Sequence, residues 1–230
     1  MQSSKPYLIA VSQMIASLLF LFIGFLPQLT FAAESYQPSD KLFVAPTTGA
    51  NIRTEPSLQA PVLAKLKYNT VIIVVTDTLD AQPLQITVPD FNEGFLSLQG
   101  HWVKVKAGTI IGYVFDGMLS KYKGLELGNH DEEAYYAATF GKPATKTIPK
   151  SEVVQGHTIK YETIIKTYPK GLVEEYTFSD DCHDFTYTFK LTFNEVYWLI
   201  NRIMIGADAV QEVKIKKADK GAILTFYSCT

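Results

Sequence analysis

Between Leu42 and Tyr122 the chain runs in short β-branched segments broken by turn residues, and none of them carries a helical period. TVIIVVT (Thr70 to Thr76), HWVKVK (His101 to Lys106) and IIGYVF (Ile110 to Phe115) are the clearest strands. Many short strands with frequent turns restrict a segment of this size to a small all-β barrel. In NIRTEPS (Asn51 to Ser57) Ile52 points inward, and Asn51 and Arg53 flank it on the opposite face, as a half-buried strand requires.

Four segments in order carry a family resemblance: NIRTEPS, then PVLAKLKYNTVIIV (Pro61 to Val74), GHWVKVK (Gly100 to Lys106) and GYVFDGMLS (Gly112 to Ser120). Over residues 42–122 they resemble the successive strand signatures of the bacterial Src-homology-3 (SH3b) family, which implies an SH3-like small barrel spanning residues 40–122. Where that family usually has a turn glycine this chain has Asn69, the next best residue for a left-handed backbone. Gly112 is expected to let the barrel wall bend before Tyr113. The chain departs from the pattern near residues 76–99, where LQITV (Leu84 to Val88) and FLSL (Phe95 to Leu98) form an expected extra hairpin. Such an insertion is either a specificity loop beside a groove or a plain surface elaboration.

The resemblance implies recognition of peptides, or of peptidoglycan stem and bridge peptides, outside the membrane. The groove candidates are Asn51, Arg53, Trp102, Tyr113 and Phe115. Each has a structural alternative: Arg53 as a turn clamp, Trp102 as filler of the barrel core.

Compartment is read from the start of the chain. Lys5, an apolar stretch from Tyr7 to Leu26, Pro27 and TFAAES have the layout of a secretory signal peptide, residues 1–32, cleaved near Ala32. The rival is a retained anchor, because the stretch is about long enough to span a bilayer; no other segment approaches membrane length, so no span is expected after cleavage. The formal net charge of −2 offers no basis for nucleic-acid binding. The only two cysteines, Cys182 and Cys229, in an exported chain favour a disulfide.

Residues 123–230 read as an α+β domain of no recognised family. NHDEEAYYAATFGKP is a helix with Asn129 or Asp131 as cap and acidic residues in its first turn, ended by Gly141 and Pro143. Residues 142–157, rich in Lys, Pro, Thr and Ser, read as a connector. TIKYETIIKTY, LVEEYTF and DFTYTFK are strands. LTFNEVYWLINRIM is a helix with a Thr192/Glu195 capping box, and Val196, Leu199, Ile200 and Ile203 share one face. VQEVKIKK and AILTFYSC close the chain as a hairpin around ADKG. The order predicts an antiparallel sheet with a packed helix.

FSDDCHDFTY (Phe178 to Tyr187) invites comparison with the Asp-Cys-Ser-Gly motif of papain-like cell-wall endopeptidases. In that motif the cysteine begins a helix and a later strand supplies a histidine base. Here DFTYTFK alternates as a strand, no histidine follows His183, and His183 faces away from Cys182. Asp180, Asp181, His183 and Asp184 lack the spacing of calcium loops or zinc sites, so no metal is assigned. Glu174 and Glu175 are adjacent and face opposite ways, so they make no acid and base pair.

The sequence thus points to an exported, non-catalytic binding protein for peptide or peptidoglycan, with no cofactor, and with the second domain as a surface for a protein partner. Two alternatives stand beside it: a cell-wall hydrolase with an unrecognised site in the C-terminal domain, or an inhibitor or immunity protein of a secreted enzyme. A concave pocket of converging titratable groups in that domain would favour the hydrolase. A flat sheet face with exposed Tyr176, Tyr187 or Tyr197 would favour binding.

Overall fold

The computed structural model describes residues 36–76, 83–179, 182–204 and 210–229; the expected leader (1–32), Asp180 and Asp181 lie outside them. The first half carries nine strands: β1 (Lys41–Val44), β2 (Ala50–Arg53), β3 (Val62–Leu66), β4 (Val71–Val74), β5 (Leu84–Pro89), β6 (Phe95–Gly100), β7 (Trp102–Ala107), β8 (Ile110–Phe115) and β9 (Leu119–Ser120). Seven form an antiparallel sheet in the order β3-β2-β8-β7-β4-β1-β9, while β5 and β6 pair only with each other. The period-two pattern builds the core directly: Leu42, Val44, Ile52, Ile72, Val74, Val103, Val105 and Val114 meet on the inner side. Their sequence neighbours Lys41, Asn51, Arg53, Lys104, Lys106 and Tyr113 are left on the outer side.

Two expected backbone positions resolve differently. Asn69 adopts φ +60°, as a left-handed turn residue should. Its side chain also donates to the Gly124 carbonyl at 2.9 Å and accepts from the Gly124 amide at 2.8 Å, two bonds that glycine could not make. Gly112 is required for space: a Cβ there would lie 2.4 Å from the Arg53 carbonyl oxygen across the β2–β8 contact.

In the second half α1 (Glu132–Phe140) starts on Asp131, whose side chain accepts from the Ala134 amide, and ends at Gly141 with φ +90°. The expected connector over 142–157 is instead a strand for most of its length. β10 (Ala144–Val154) pairs with β11 (His157–Tyr168) from Ala144↔Thr167 to Val154↔His157. Thr145, Thr147 and Ile148 supply β-branched residues, and Pro149 is tolerated because β10 is an edge strand. Composition suggested a linker; pairing with a long neighbour overrides it.

The remaining elements are β12 (Leu172–Ser179), β13 (Cys182–Phe189), α2 (Phe193–Ile203), β14 (Val210–Ala218) and β15 (Gly221–Cys229). The second sheet is antiparallel in the order β10-β11-β12-β13-β15-β14. The capping box on α2 forms as expected: the Thr192 hydroxyl accepts from the Glu195 amide and the Glu195 carboxylate accepts from the Thr192 amide. Val196, Leu199 and Ile200 bury against Tyr168, Leu172, Phe189 and Leu224 on the sheet, with Tyr136 and Phe140 of α1 in the same cluster.

The two halves belong to one compact unit. A smaller cluster made by Val88, Leu98 and Tyr197 joins the β5–β6 hairpin to α2. Buried Arg202 of α2 donates to the carbonyls of Leu125, Glu126 and Asn129 in the segment between the sheets.

Candidate functional site

On the outer side of the first sheet the inserted hairpin and strand β2 enclose a cavity of about 200 Å³. Asn51, Arg53, Trp102, Phe115, Leu84 and Ile86 line it together with Lys65 and Met118, and the largely exposed Leu58 stands at its mouth. Trp102 and Phe115 are cross-strand partners on β7 and β8, with rings edge to face at 6.5 Å, and both are nearly fully buried. Neither belongs to the cluster on the inner side of the sheet: Trp102 is buried, as a filler would be, but on the side where it lines the cavity. The parity of the strand decides this, since Val103 takes the inward position.

Four of the five groove residues expected from the sequence therefore converge on one cavity. Tyr113 does not line it; it lies on the same outer face, opposite both Arg53 and Lys104 across the strand pairs, with the Lys104 ammonium 5.8 Å from its ring centre. Arg53 does act as a turn clamp, donating from Nη1 to the Ala60 carbonyl at 2.6 Å, and lines the cavity as well.

Several contacts fix the cavity walls. After Phe115 the chain makes a single 3-10 turn, Asp116–Met118, and Asp116 Oδ1 accepts from the His101 amide at 2.7 Å. Gly117 is obligatory there, since a Cβ would sit 2.3 Å from the Phe115 ring. From α2, Trp198 Nε1 donates to the Gly117 carbonyl at 2.7 Å, Asn194 Nδ2 donates to the Gln99 carbonyl at 2.9 Å, and the Tyr197 hydroxyl donates to the Pro89 carbonyl at 2.8 Å. The Glu195 carboxylate accepts from the Ser120 hydroxyl and the Lys121 amide. One helix of the second half thus holds both the hairpin and the turn that close the site.

Sequence reasoning missed Leu58, Lys65, Leu84, Ile86 and Met118. Leu84, Ile86 and Val88 alternate along β5 and share one face, a signal that was legible. That the near end of this face lines the cavity while its far end rests on α2 was not.

The second half presents a different chemistry. Cys182 and Cys229 are directly opposite on β13 and β15 and form a disulfide, so Cys182 is not a free nucleophile. His183 packs on Phe178 with ring centres 3.8 Å apart. Among the described residues no group of three or more metal-ligating side chains converges. Tyr176, Phe178, Phe185 and Phe226 lie on the end of the sheet face that the helices leave partly open, with Phe185 and Phe226 stacked at 4.5 Å. Tyr197, one of the aromatics expected on an exposed sheet face, is instead buried on α2. Buried Glu174 accepts from the Tyr168 hydroxyl at 2.8 Å, and burial raises its pKa above the ordinary carboxylate range.

Comparison with known proteins adds one finding. Residues 48–120 match the family model described as the bacterial SH3 domain, a span that takes in β2 to β9, the inserted hairpin and the whole cavity wall. No curated protein and no solved structure matches the chain.

Proposed function

We propose that the bacterial SH3 domain of this chain is the barrel of an exported, non-catalytic binding protein, and that its ligand is a peptide, specifically peptidoglycan stem or bridge peptide, held in the outer cavity. The observation that carries this reading is the convergence of Asn51, Arg53, Trp102 and Phe115 on one apolar cavity within the family-matched segment. At about 200 Å³ the cavity is smaller than the roughly 300–1,000 Å³ common for small-molecule pockets. It suits one side chain of a longer ligand, the rest of which lies along the sheet surface.

Export is supported by the leader-like start of the sequence and by the disulfide, which persists in oxidising compartments. Among the described residues no helix is long and apolar enough to cross a membrane. The absence of catalysis is supported by the paired state of Cys182, the most nucleophile-like residue of the sequence. The second half, at residues 123–230, serves as the support that fixes the hairpin and as a surface for a protein partner.

Retention of the folded chain on purified peptidoglycan tests the proposal. The wild type is expected to sediment with it, and Leu58→Asp, at an exposed position of the cavity mouth, to lose at least threefold in retention with an unchanged melting temperature. Equal retention of the two proteins contradicts a ligand in this cavity.

A further inference from the structure

The outer face of the first sheet continues beyond the cavity with one sign of charge. Strands β1 to β9 contain no aspartate or glutamate, and their five cations, Lys41, Arg53, Lys65, Lys104 and Lys106, all take outward positions. None of the five is ion-paired among the described residues; Arg53 is held only by the Ala60 carbonyl. This is segregation and not bulk composition, because the whole chain is slightly acidic, with a formal net charge of −2.

The register sets four of these cations in two rungs, while Lys65 lies opposite Asn51 beside the cavity. Arg53, Tyr113, Lys104 and Val75 follow one another across the strands, and Ile111, Lys106, Ile73 and Lys41 form the next rung. Between the cations the face is apolar and open: Ile73, Val75 and Ile111 are 36%, 39% and 50% exposed. Lys104 and Lys106 stand two residues apart on one strand, a repeat of roughly 7 Å. That is also the spacing of alternate side chains in an extended peptide.

We infer that this face binds an extended acidic peptide, with carboxylates at alternate positions facing Lys104, Lys106 and their neighbours and one apolar side chain entering the cavity beside Trp102. The inference rests on the reading of the cavity as a peptide site and adds the class of peptide. Charge complementarity selects the carboxylates, since an uncharged peptide would offer no partner to the cations along its path. The single-side-chain cavity at the end of the face favours a peptide over a lipid surface.

The test uses the full chain and a fluorescent, end-blocked peptide of about ten residues with alternating glutamates around one leucine, alongside its glutamine counterpart. Anisotropy is expected to show binding of the glutamate peptide, weakened at least tenfold in the glutamine peptide. The double variant Lys104→Gln, Lys106→Gln should weaken it about five- to tenfold, as should a rise from 0.1 to 1 M salt, where the screening length falls from about 10 to 3 Å. Equal affinity for the two peptides overturns the inference. So does sedimentation of the chain with phosphatidylglycerol vesicles in the absence of peptide binding. Retention on peptidoglycan separates this inference from the reading beneath it. If Leu58→Asp lowers retention and the lysine variant does not, the cavity stands and the acidic ligand is wrong; if the wild type is not retained, the wall reading itself fails.

Discussion

Glu174 shows at the scale of one residue how burial sets the behaviour of a group that the sequence left ambiguous. Adjacent Glu174 and Glu175 lie on opposite faces of β12, as strand parity requires, but parity alone does not show which of the two is buried. Glu174 is, with the Tyr168 hydroxyl donating to its carboxylate, and burial raises its pKa. A carboxyl whose folded pKa lies above its unfolded value takes up its proton first in the native state. Its contribution to stability therefore grows as pH falls through the folded pKa and is lost as pH rises again. Glu174→Gln should accordingly flatten the fall of melting temperature between the ordinary carboxylate range and pH 7, and leave the variant at least as stable as wild type at pH 7. Thermal melts of both proteins across that range check it, and a loss of stability equal at every pH would contradict it. The cavity residues teach a related lesson. The strand pattern around Ile52 and Val103 placed Asn51 and Arg53 outside, whereas Trp102, also outward by parity, is buried in a cavity that it shares with Leu84 and Ile86 of the inserted hairpin and with Phe115.

At the scale of elements, the segments with strong local signals were legible. β8 spans Ile110–Phe115 as its β-branched run implied, and α2 starts at the capping box. β10 was not legible, because Lys, Thr, Ser and Pro in alternation look like a linker until a twelve-residue partner strand satisfies their backbone. The hairpin was legible as a hairpin but not in its role, which depends on Val88 and Leu98 meeting Tyr197 from a helix a hundred residues later in the chain. The Thr192 cap matters beyond α2 itself, since the Glu195 that completes it also accepts from Ser120 and Lys121. Thr192→Ala is expected to cost about 1 kcal/mol, the usual loss of a helix cap, read as a shift of the denaturant midpoint with unchanged slope. A variant as stable as wild type would show that the cap is dispensable.

On the scale of the whole molecule, the chain separates its chemistries: a cationic, apolar-lined outer face on the first sheet, and a disulfide-closed sheet with stacked aromatics in the second half. The disulfide joins residues 47 apart, and closing a loop of that length stabilises by about 3 to 4 kcal/mol on chain entropy. Reduction should lower stability by about 2 to 5 kcal/mol, measured by denaturant titration with and without reductant. Peptide binding should survive it in any chain that stays folded, because neither cysteine touches the cavity; alkylation of Cys182 in the unreduced native protein would contradict the bridge. The family resemblance read from residues 42–122 agrees with the match over 48–120, while the ligand was never legible, because no residue names it until the cavity is assembled. The chain has only two tryptophans, Trp102 and Trp198, so their indole N–H resonances distinguish the cavity from α2. Soluble peptide fragments released from peptidoglycan, titrated into the nitrogen-15-labelled chain, should shift the Trp102 indole and the amides of Asn51 and Arg53 saturably, and leave the amides of Tyr176 and Phe185 in place. Shifts confined to Tyr176, Phe185 and their neighbours, with Trp102 unmoved at saturation, would place the ligand on the other sheet and contradict the account.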